Sequence, residues 1–371
     1  MVWLNGNRMS LVVVGVVAAM VLGVGSVRAD FVFGEPKNLG PTVHSGMSGF
    51  RPCISADGLE IYFESLTQSS GWDIWVCTRA TTDDEWSKPK NLGELANIGQ
   101  MDSCPSLSAD GLELYFNSQM GDPGWGDLWV MRRATKSDPW GPAEKLGPPV
   151  NSTKDESAPS ISADGLELYF SFWDRNLPGD DPVQGFYVTR RETTDAPWGE
   201  PVSLGPVINS WPNQWEPEIS SDGLLLLWSD YNSRQADPRP GGLGLTDIWY
   251  SRRATKDGPW SEPVNLGPPV NTAYIQTGPA LSADGSTLYF SSSPSGSTYA
   301  STIWQAPILP VVDLNGDGIV DALDMCIIVD HWGTDNSLCD IGPMPWGDGV
   351  VDVEDLIVLA EHLFEEFPPT Q

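Results

Sequence analysis

A four-residue turn recurs five times: Ser55-Ala56-Asp57-Gly58, Ser108-Ala109-Asp110-Gly111, Ser162-Ala163-Asp164-Gly165, Ser220-Ser221-Asp222-Gly223 and Ser282-Ala283-Asp284-Gly285. An Asp side chain can bond the backbone two residues on, and Gly supplies the positive φ that closes a hairpin without steric penalty. Each copy therefore predicts a tight reversal between two strands. A proline stands five residues before each turn Asp (Pro52, Pro105, Pro159, Pro217, Pro279), and an alternating strand follows, ending in an aromatic pair such as Tyr115-Phe116 or Tyr289-Phe290. A third strand comes next (Asp73-Ile74-Trp75, Asp127-Leu128-Trp129, Gly185-Phe186-Tyr187, Asp247-Ile248-Trp249, Thr302-Ile303-Trp304). After a polar hairpin, a fourth strand is entered by Trp and left through Leu-Gly.

Four strands per repeat is the blade of a β-propeller, so the fold class expected is all-β, with five blades over residues 30–310. The fourth strand has only four copies inside the repeats, Trp86 to Gly93, Trp140 to Gly147, Trp198 to Gly205 and Trp260 to Gly267. The fifth copy lies at the other end of the chain, in Phe33-Gly34-Glu35-Pro36-Lys37-Asn38-Leu39-Gly40. The N-terminal strand is thus expected to complete the last blade, which removes two open sheet edges. The repeated Trp residues are expected to pack between blades. In their proline, their Ser-x-Asp-Gly turn and their aromatic second strand, these units resemble the TolB-type, WD-repeat-like propellers. That resemblance implies the fold and no single activity.

Met1 to Ala29 combine Arg8, an apolar run from Leu11 to Val24 and the small-residue exit Val27-Arg28-Ala29, the layout of a secretory signal peptide. Export is expected, to the outside or the cell surface, with no membrane span in the mature chain. The formal charge is -30, which disfavours nucleic acid and anionic lipid as partners. Among the 5 cysteines an odd one is left over. Cys326 and Cys339 are expected to form a local bridge, while Cys53, Cys77 and Cys104 suggest no pairing.

Strand order puts the Ser-Ala-Asp-Gly hairpins on one face and the second-to-third and blade-to-blade connections on the other. Every long insertion falls on the second face, within residues 172–184, 208–215 and 230–245. Candidate ligand-binding residues are therefore Trp173, Asp174, Arg175, Trp211, Trp215, Asp230, Tyr231 and Arg234, with Asp102, Glu156 and Glu216 expected at the channel mouth ahead of the first-strand prolines. Rings beside carboxylates suit carbohydrate, whose apolar faces stack while its hydroxyls bond acids and amides. A glycoside hydrolase would need two carboxylates flanking the bond, and nothing in the spacing pairs them. No Gly-x-Ser-x-Gly elbow occurs, and beyond the leader the His residues are His44, His331 and His362, so no catalytic residue is assigned.

Residues 311–371 read as a separate small domain that is helical and acidic. Asp257 to Gln371 contain no Lys or Arg, so cations are the natural counter-charge there. In Asp313-Leu314-Asn315-Gly316-Asp317-Gly318-Ile319-Val320-Asp321-Ala322-Leu323-Asp324, oxygen donors fall at loop positions 1, 3, 5, 9 and 12, with the Ile319 carbonyl at 7 and Gly318 at the sharp turn. Hard Ca²⁺ takes six to eight oxygens, and this ladder supplies them. A helix is expected over Ala322 to His331. The second copy holds Asp348, Val350, Asp352 and Asp355 before an amphipathic run to Phe364. Its standard register puts Met344 and Trp346 where oxygens belong, and Asp340 is the substitute that a longer loop offers. Loop plus exiting helix, repeated, resembles the type I dockerin, which implies calcium and a cohesin-like or cell-surface protein partner. Ala322, Leu323, Val353 and Glu354 stand where that family often carries Ser/Thr pairs. The reading that results is a secreted binding or display module for polysaccharide or protein, docked through its tail, with a polysaccharide-acting enzyme as the alternative.

Overall fold

The computed structural model describes residues 31–365, apart from 45–46, 68–70, 121–125, 175–182, 232–238, 294–295, 297–299, 316, 335, 337–338 and 343–349. It is mostly β. Two short strands, β1 (Phe31–Phe33) and β2 (Lys37–Asn38), precede the repeats. The first unit is β3 (Phe50–Ile54), β4 (Glu60–Thr67), β5 (Gly71–Thr78) and β6 (Lys90–Asn91), and the second is β7 (Asp102–Leu107), β8 (Glu113–Ser118), β9 (Asp127–Arg132) and β10 (Glu144–Lys145). The third comprises β11 (Asp155–Ile161), β12 (Glu167–Asp174), β13 (Val183–Arg190) and β14 (Val202–Ser203), and the fourth β15 (Gln214–Ile219), β16 (Leu225–Tyr231), β17 (Thr246–Arg252) and β18 (Val264–Asn265). Last come β19 (Ile275–Leu281), β20 (Thr287–Ser293) and β21 (Thr302–Pro310).

Within each unit neighbouring strands pair antiparallel. The last unit takes its fourth strand from the N-terminus, where Lys37 lies opposite Gln305 and Asn38 opposite Trp304. Beyond it β1 pairs with the end of β21, Phe31 opposite Pro310. The outer strands are short because each follows a proline (Pro36, Pro89, Pro142, Pro201, Pro263) that has no N–H for the ladder.

One apolar cluster lies between each consecutive pair of units, and another joins the last unit to the first through Ile54, Ile61, Phe63, Tyr289 and Ile303. The inner strands pack in sequence, and β19 lies against β3. Trp140 meets Tyr62 of the preceding unit edge-on at 6.3 Å, and Trp198 meets Tyr115 likewise. Arg79, Arg133, Arg191 and Arg253 stack over Trp86, Trp140, Trp198 and Trp260 at 4.3 to 4.5 Å. Arg133 and Arg191 also reach back to Glu60 and Glu113 of the unit before.

The turn aspartates are structural. Asp57 accepts the Ser55 hydroxyl at 2.7 Å and the Leu59 N–H at 3.1 Å, and the same bonds recur at Asp110, Asp164 and Asp222.

The tail has its own core, built on Val312, Val320, Ile328, Ile341, Val351 and Leu359. Its helices are α1 (Ala322–Asp330) and α2 (Val353–Glu361), so the first ends one residue short of expectation, with His331 as its cap. The expected Cys326–Cys339 bridge is absent and all five cysteines are free thiols. Cys326 is exposed on α1, whereas Cys339 is buried with its Sγ 3.9 Å from the Ile327 carbonyl.

Candidate functional site

The inner strands carry the feature that builds a site. Each has a register shift, and at each shift a residue adopts a left-handed backbone immediately before the proline: Arg51 (φ 48), Cys104 (φ 54), Ala158 (φ 49), Glu216 (φ 62) and Gly278 (φ 59). Proline cannot donate to the ladder and bars its predecessor from the right-handed helical region, so the strand bulges there. A bulge re-aims its side chain. Here the five steps meet around a space of about 30 Å³. The approach is close enough that a Cβ on Gly278 would stand 2.7 Å from the Arg51 Cα, which only glycine allows.

Above this constriction opens a cavity of about 530 Å³, to which all five units contribute. It lies at the ends of strands that bear the second-to-third connections. Two edge-to-face aromatic pairs wall it, Phe50 with Trp72 at 5.1 Å and Trp173 with Trp215 at 5.2 Å. Neutral polar groups, among them Ser103, Asn117, Ser157, Asn213 and Thr246, fill the gaps between them.

The floor is charged. Arg51 donates from Nη1 to both oxygens of Glu64 (2.8 and 3.1 Å) and from Nε to Glu216. Glu64 also accepts the Cys104 N–H at 3.0 Å. The second oxygen of Glu216 accepts the Thr277 hydroxyl at 2.5 Å, the Ser229 hydroxyl at 2.8 Å and the Gly278 N–H at 2.7 Å. Burial pushes the Glu64 carboxyl above its ordinary range, and the Arg51 charge only partly offsets this. Glu216 is buried too, but Arg51 and the hydroxyls of Thr277 and Ser229 together hold it below that range. The Arg51 side chain is 29% exposed against 3% for Glu64 and 9% for Glu216, so Arg51 is the one of the three that a ligand reaching the floor meets first.

Of the expected ligand residues, Trp173, Trp215 and Glu216 line this cavity. Asp102 and Glu156 do not, which corrects their placement at the mouth. They stand three residues before their prolines, fully buried, and clamp the loop leading into their own strand. Asp102 accepts the Gly99 N–H at 2.9 Å, and Glu156 accepts the Ser152 hydroxyl at 2.5 Å. Gln276 holds the Thr272 N–H in the same way. Asp174 pairs with Lys154 at 2.6 Å, and Asp230 with Arg239 at 2.8 Å and the Trp228 indole N–H at 2.9 Å. Trp211 is half-buried outside the cavity lining. Tyr231 ends β16, with its side chain outside the described residues, as are Arg175 and Arg234.

Sequence reasoning missed Phe50, Arg51, Glu64 and Trp72. A signal existed for the charged pair. The pre-proline position reads Arg, Cys, Ala, Glu, Gly through the repeats, and the position after the aromatic pair reads Glu64, Asn117, Ser171, Ser229, Ser291. Those are places where the repeat leaves its residue free.

In the tail, the first loop is wound by its own acids. Asp313 accepts the Gly318 N–H at 3.0 Å, Asn315 the Asp317 N–H at 2.8 Å and Asp317 the Ile319 N–H at 3.0 Å. Asp321 caps α1 through the Leu323 N–H. Asp324 is fully buried and takes the Leu314, Asn315 and Asp321 N–H groups. Asp355 repeats this pattern with the N–H groups of Ile341, Gly342 and Asp352. That equivalence aligns Asp340 with Asp313, Val350 with Ile319 and Asp352 with Asp321, in a loop four residues longer whose third position is Gly342. Asp348 lies outside the described residues. Among the described residues no group of three acidic, His or Cys side chains converges on a point where a metal would sit. The donor chemistry of the first loop, all oxygen at alternate positions around a glycine turn, nevertheless fits a hard cation.

No family model matches the chain, and no curated protein is similar to it. Among solved structures it is similar to the catalytic domain of the Coprinopsis cinerea GH62 α-L-arabinofuranosidase, with a TM-score of 0.50, 11% identity, and coverage of 74% of this chain and 97% of that one. TolB from Acinetobacter baumannii gives a TM-score of 0.43 at 13% identity over 82% of this chain and 71% of that one. The β-propeller domain of the Trilobed protease from Pyrococcus furiosus gives 0.33 at 10% identity over 72% of each. At such identities the likeness is one of fold alone, that of a β-propeller.

Proposed function

We propose that the protein is an exported carbohydrate-binding propeller of five blades, sealed by its N-terminal strand and docked through a calcium-stabilised, dockerin-like tail. The observation that carries the binding role is the central cavity, in which two aromatic pairs stand over a floor of fixed polar groups. Rings offer faces or edges to the C–H surface of a sugar, and the hydroxyls, amides and Arg51 supply hydrogen bonds at its rim. Five blades and closure are supported by the pairing of β2 with β21 and by the apolar cluster between the last unit and the first.

In the tail, Asp313, Asn315, Asp317, the Ile319 carbonyl, Asp321 and Asp324 are the groups that would hold calcium, and Asp340, the Val350 carbonyl, Asp352 and Asp355 form the second, poorer set. The ion would supply positive charge to a segment that has none of its own. Leu323, Val353 and Ile357 are exposed on the two helices, which suits docking on a cohesin-like or cell-surface protein.

A second reading, a polysaccharide-acting enzyme, is favoured by the two glutamates that share Arg51 at the cavity floor with carboxyls shifted in opposite directions. Their burial beneath Arg51 argues for binding instead. A glycan array followed by calorimetry tests the assignment: Trp173→Ala and Trp215→Ala should each weaken binding about tenfold, roughly 1.4 kcal/mol. Turnover of any bound glycan that Glu64→Gln abolishes would establish the enzyme reading. Unchanged binding in both Trp variants would remove the cavity as the site.

A further inference from the structure

Among the described residues that line the central cavity there is one cation, and that cation is already answered twice. Arg51 meets Glu64 on one side and Glu216 on the other, and both carboxylates are covered. With both ionised the floor carries a net charge of minus one. With a proton on Glu64, whose carboxyl burial pushes up, the floor is neutral. It is positive in neither state. The remaining lining is uncharged: aromatic rings, Met101, Ile275, Cys104, and hydroxyl and amide side chains.

A floor of this kind can still donate a hydrogen bond, because the Arg51 side chain is partly exposed, but it does not attract net negative charge. A carboxylate brought there leaves water and meets described residues that offer no unmatched positive charge, which disfavours it. The formal charge of -30 on the whole chain adds a longer-range repulsion. A sugar hydroxyl or ring oxygen, in contrast, accepts a hydrogen bond from Arg51 without that penalty.

We infer that the cavity selects neutral sugars against uronic acids, with Arg51 as the donor that contacts the ligand and Glu64 and Glu216 as the groups that cancel its charge. This rests on the carbohydrate-binding reading above. It makes the two glutamates together the specificity determinant: with either charge present Arg51 is cancelled, and with both removed it is unmatched and can answer an acidic ligand.

The test is binding of the full chain to matched oligosaccharide pairs that differ in oxidation at C6, gluco- against glucurono-, galacto- against galacturono- and manno- against mannurono-, at low and high salt. The neutral member of a bound pair should bind at least tenfold more tightly at low salt, the gap narrowing as salt screens the repulsion. The double variant Glu64→Gln with Glu216→Gln, which keeps acceptors for the Cys104 and Gly278 N–H groups and leaves Arg51 unmatched, should narrow it at least tenfold by raising affinity for the acidic member. An acidic member bound as tightly as its neutral partner by the wild type overturns the inference and leaves the carbohydrate reading standing. No binding to either member of any pair, or to the wider array, sinks that reading itself. If the double variant fails to fold, the wild-type comparison across salt decides the matter alone.

Discussion

Glu156→Gln separates a loop clamp from a ligand contact. Glu156 is fully buried, and burial pushes its carboxyl from an ordinary 4.5 up to about 7, against the hydrogen bonds from Ser152 that favour the charged form. Because the folded state holds its proton more tightly than the unfolded chain, the contribution of this group to stability is complete below pH 4.5 and is lost as pH rises through 7. The separation corresponds to about 3 kcal/mol, an upper figure for a site where water can relax the charge. Gln cannot ionise and keeps one acceptor for the Ser152 hydroxyl. The variant should therefore match or fall slightly below the wild type near pH 4.5 and exceed it near pH 8. With unfolding entropy of ~2 cal/mol/K per residue, the gain is roughly 4 °C in Tm.

Calorimetric or fluorescence melts of both proteins from pH 4 to 8 provide the measurement, and the pH dependence of the difference is the quantity that matters. Glu218 and Asp102, raised by burial to about 7 and about 6, slope the same way in both proteins and cancel from it. Asp57, held at about 2 by Lys136 and the Ser55 hydroxyl, and Asp164, held at about 2 by the Ser162 hydroxyl and Lys256, contribute stability above pH 3.8 that is lost only as pH falls towards 2, outside this window. A difference flat across pH 4.5 to 8 would refute the burial argument. A loss of ligand affinity in a folded Glu156→Gln protein would return Glu156 to the mouth.

Two further outcomes test the seal and the tail. Asn97, Asn151, Asn209 and Asn271 each clamp both backbone groups of one third-strand residue, and His44, four residues after Gly40, stands at the same place against Ile303. Burial lowers the pKa of His44, so its contribution is present above the ordinary 6.5 and lost as pH falls below it. His44→Asn should stabilise by about 1 kcal/mol and remove that acid-side loss in urea melts, whereas destabilisation would mean a different register for the N-terminal segment. Calcium at ten times its dissociation constant should raise the stability of the tail by ~1.4 kcal/mol per site. Asp313→Ala should make a separate low-temperature transition insensitive to chelator, and a tail equally stable with and without calcium in the wild type would exclude the ion.

The repeat made the strands legible because its signals are local. A Ser-x-Asp-Gly turn, a proline and an aromatic pair each act within a few residues, and they recur at one spacing. The pairing of Lys37–Asn38 with the segment around Trp304 was legible for a related reason, since an orphaned fourth-strand copy has one vacant edge to fill. The candidate site was legible only in part. Trp173, Trp215 and Glu216 were found because they break the repeat in length or in residue type. Asp102 and Glu156 were misplaced because an acid shortly ahead of a proline looks the same whether it faces a channel or caps a loop, and only the strand register distinguishes the two.

That register explains where chemistry can vary in a chain so constrained by repetition. The turn, the Arg on Trp stacks and the Asn clamps each bind one unit to itself or to its neighbour, so a substitution there costs packing in every case. The bulge residue before each proline faces the axis instead, where the five meet around the constriction. Five such residues can differ without disturbing the repeat around them. Here they are an Arg, a Cys, an Ala, a Glu and a Gly, and the Arg and Glu bond each other from the first unit to the fourth. The cavity floor thus comes into being only when the two units stand at their final separation, so a ligand that contacts Arg51 binds the assembled propeller and not its parts. Ligand binding should accordingly stabilise the fold as a whole, by an amount set by ligand concentration over its dissociation constant.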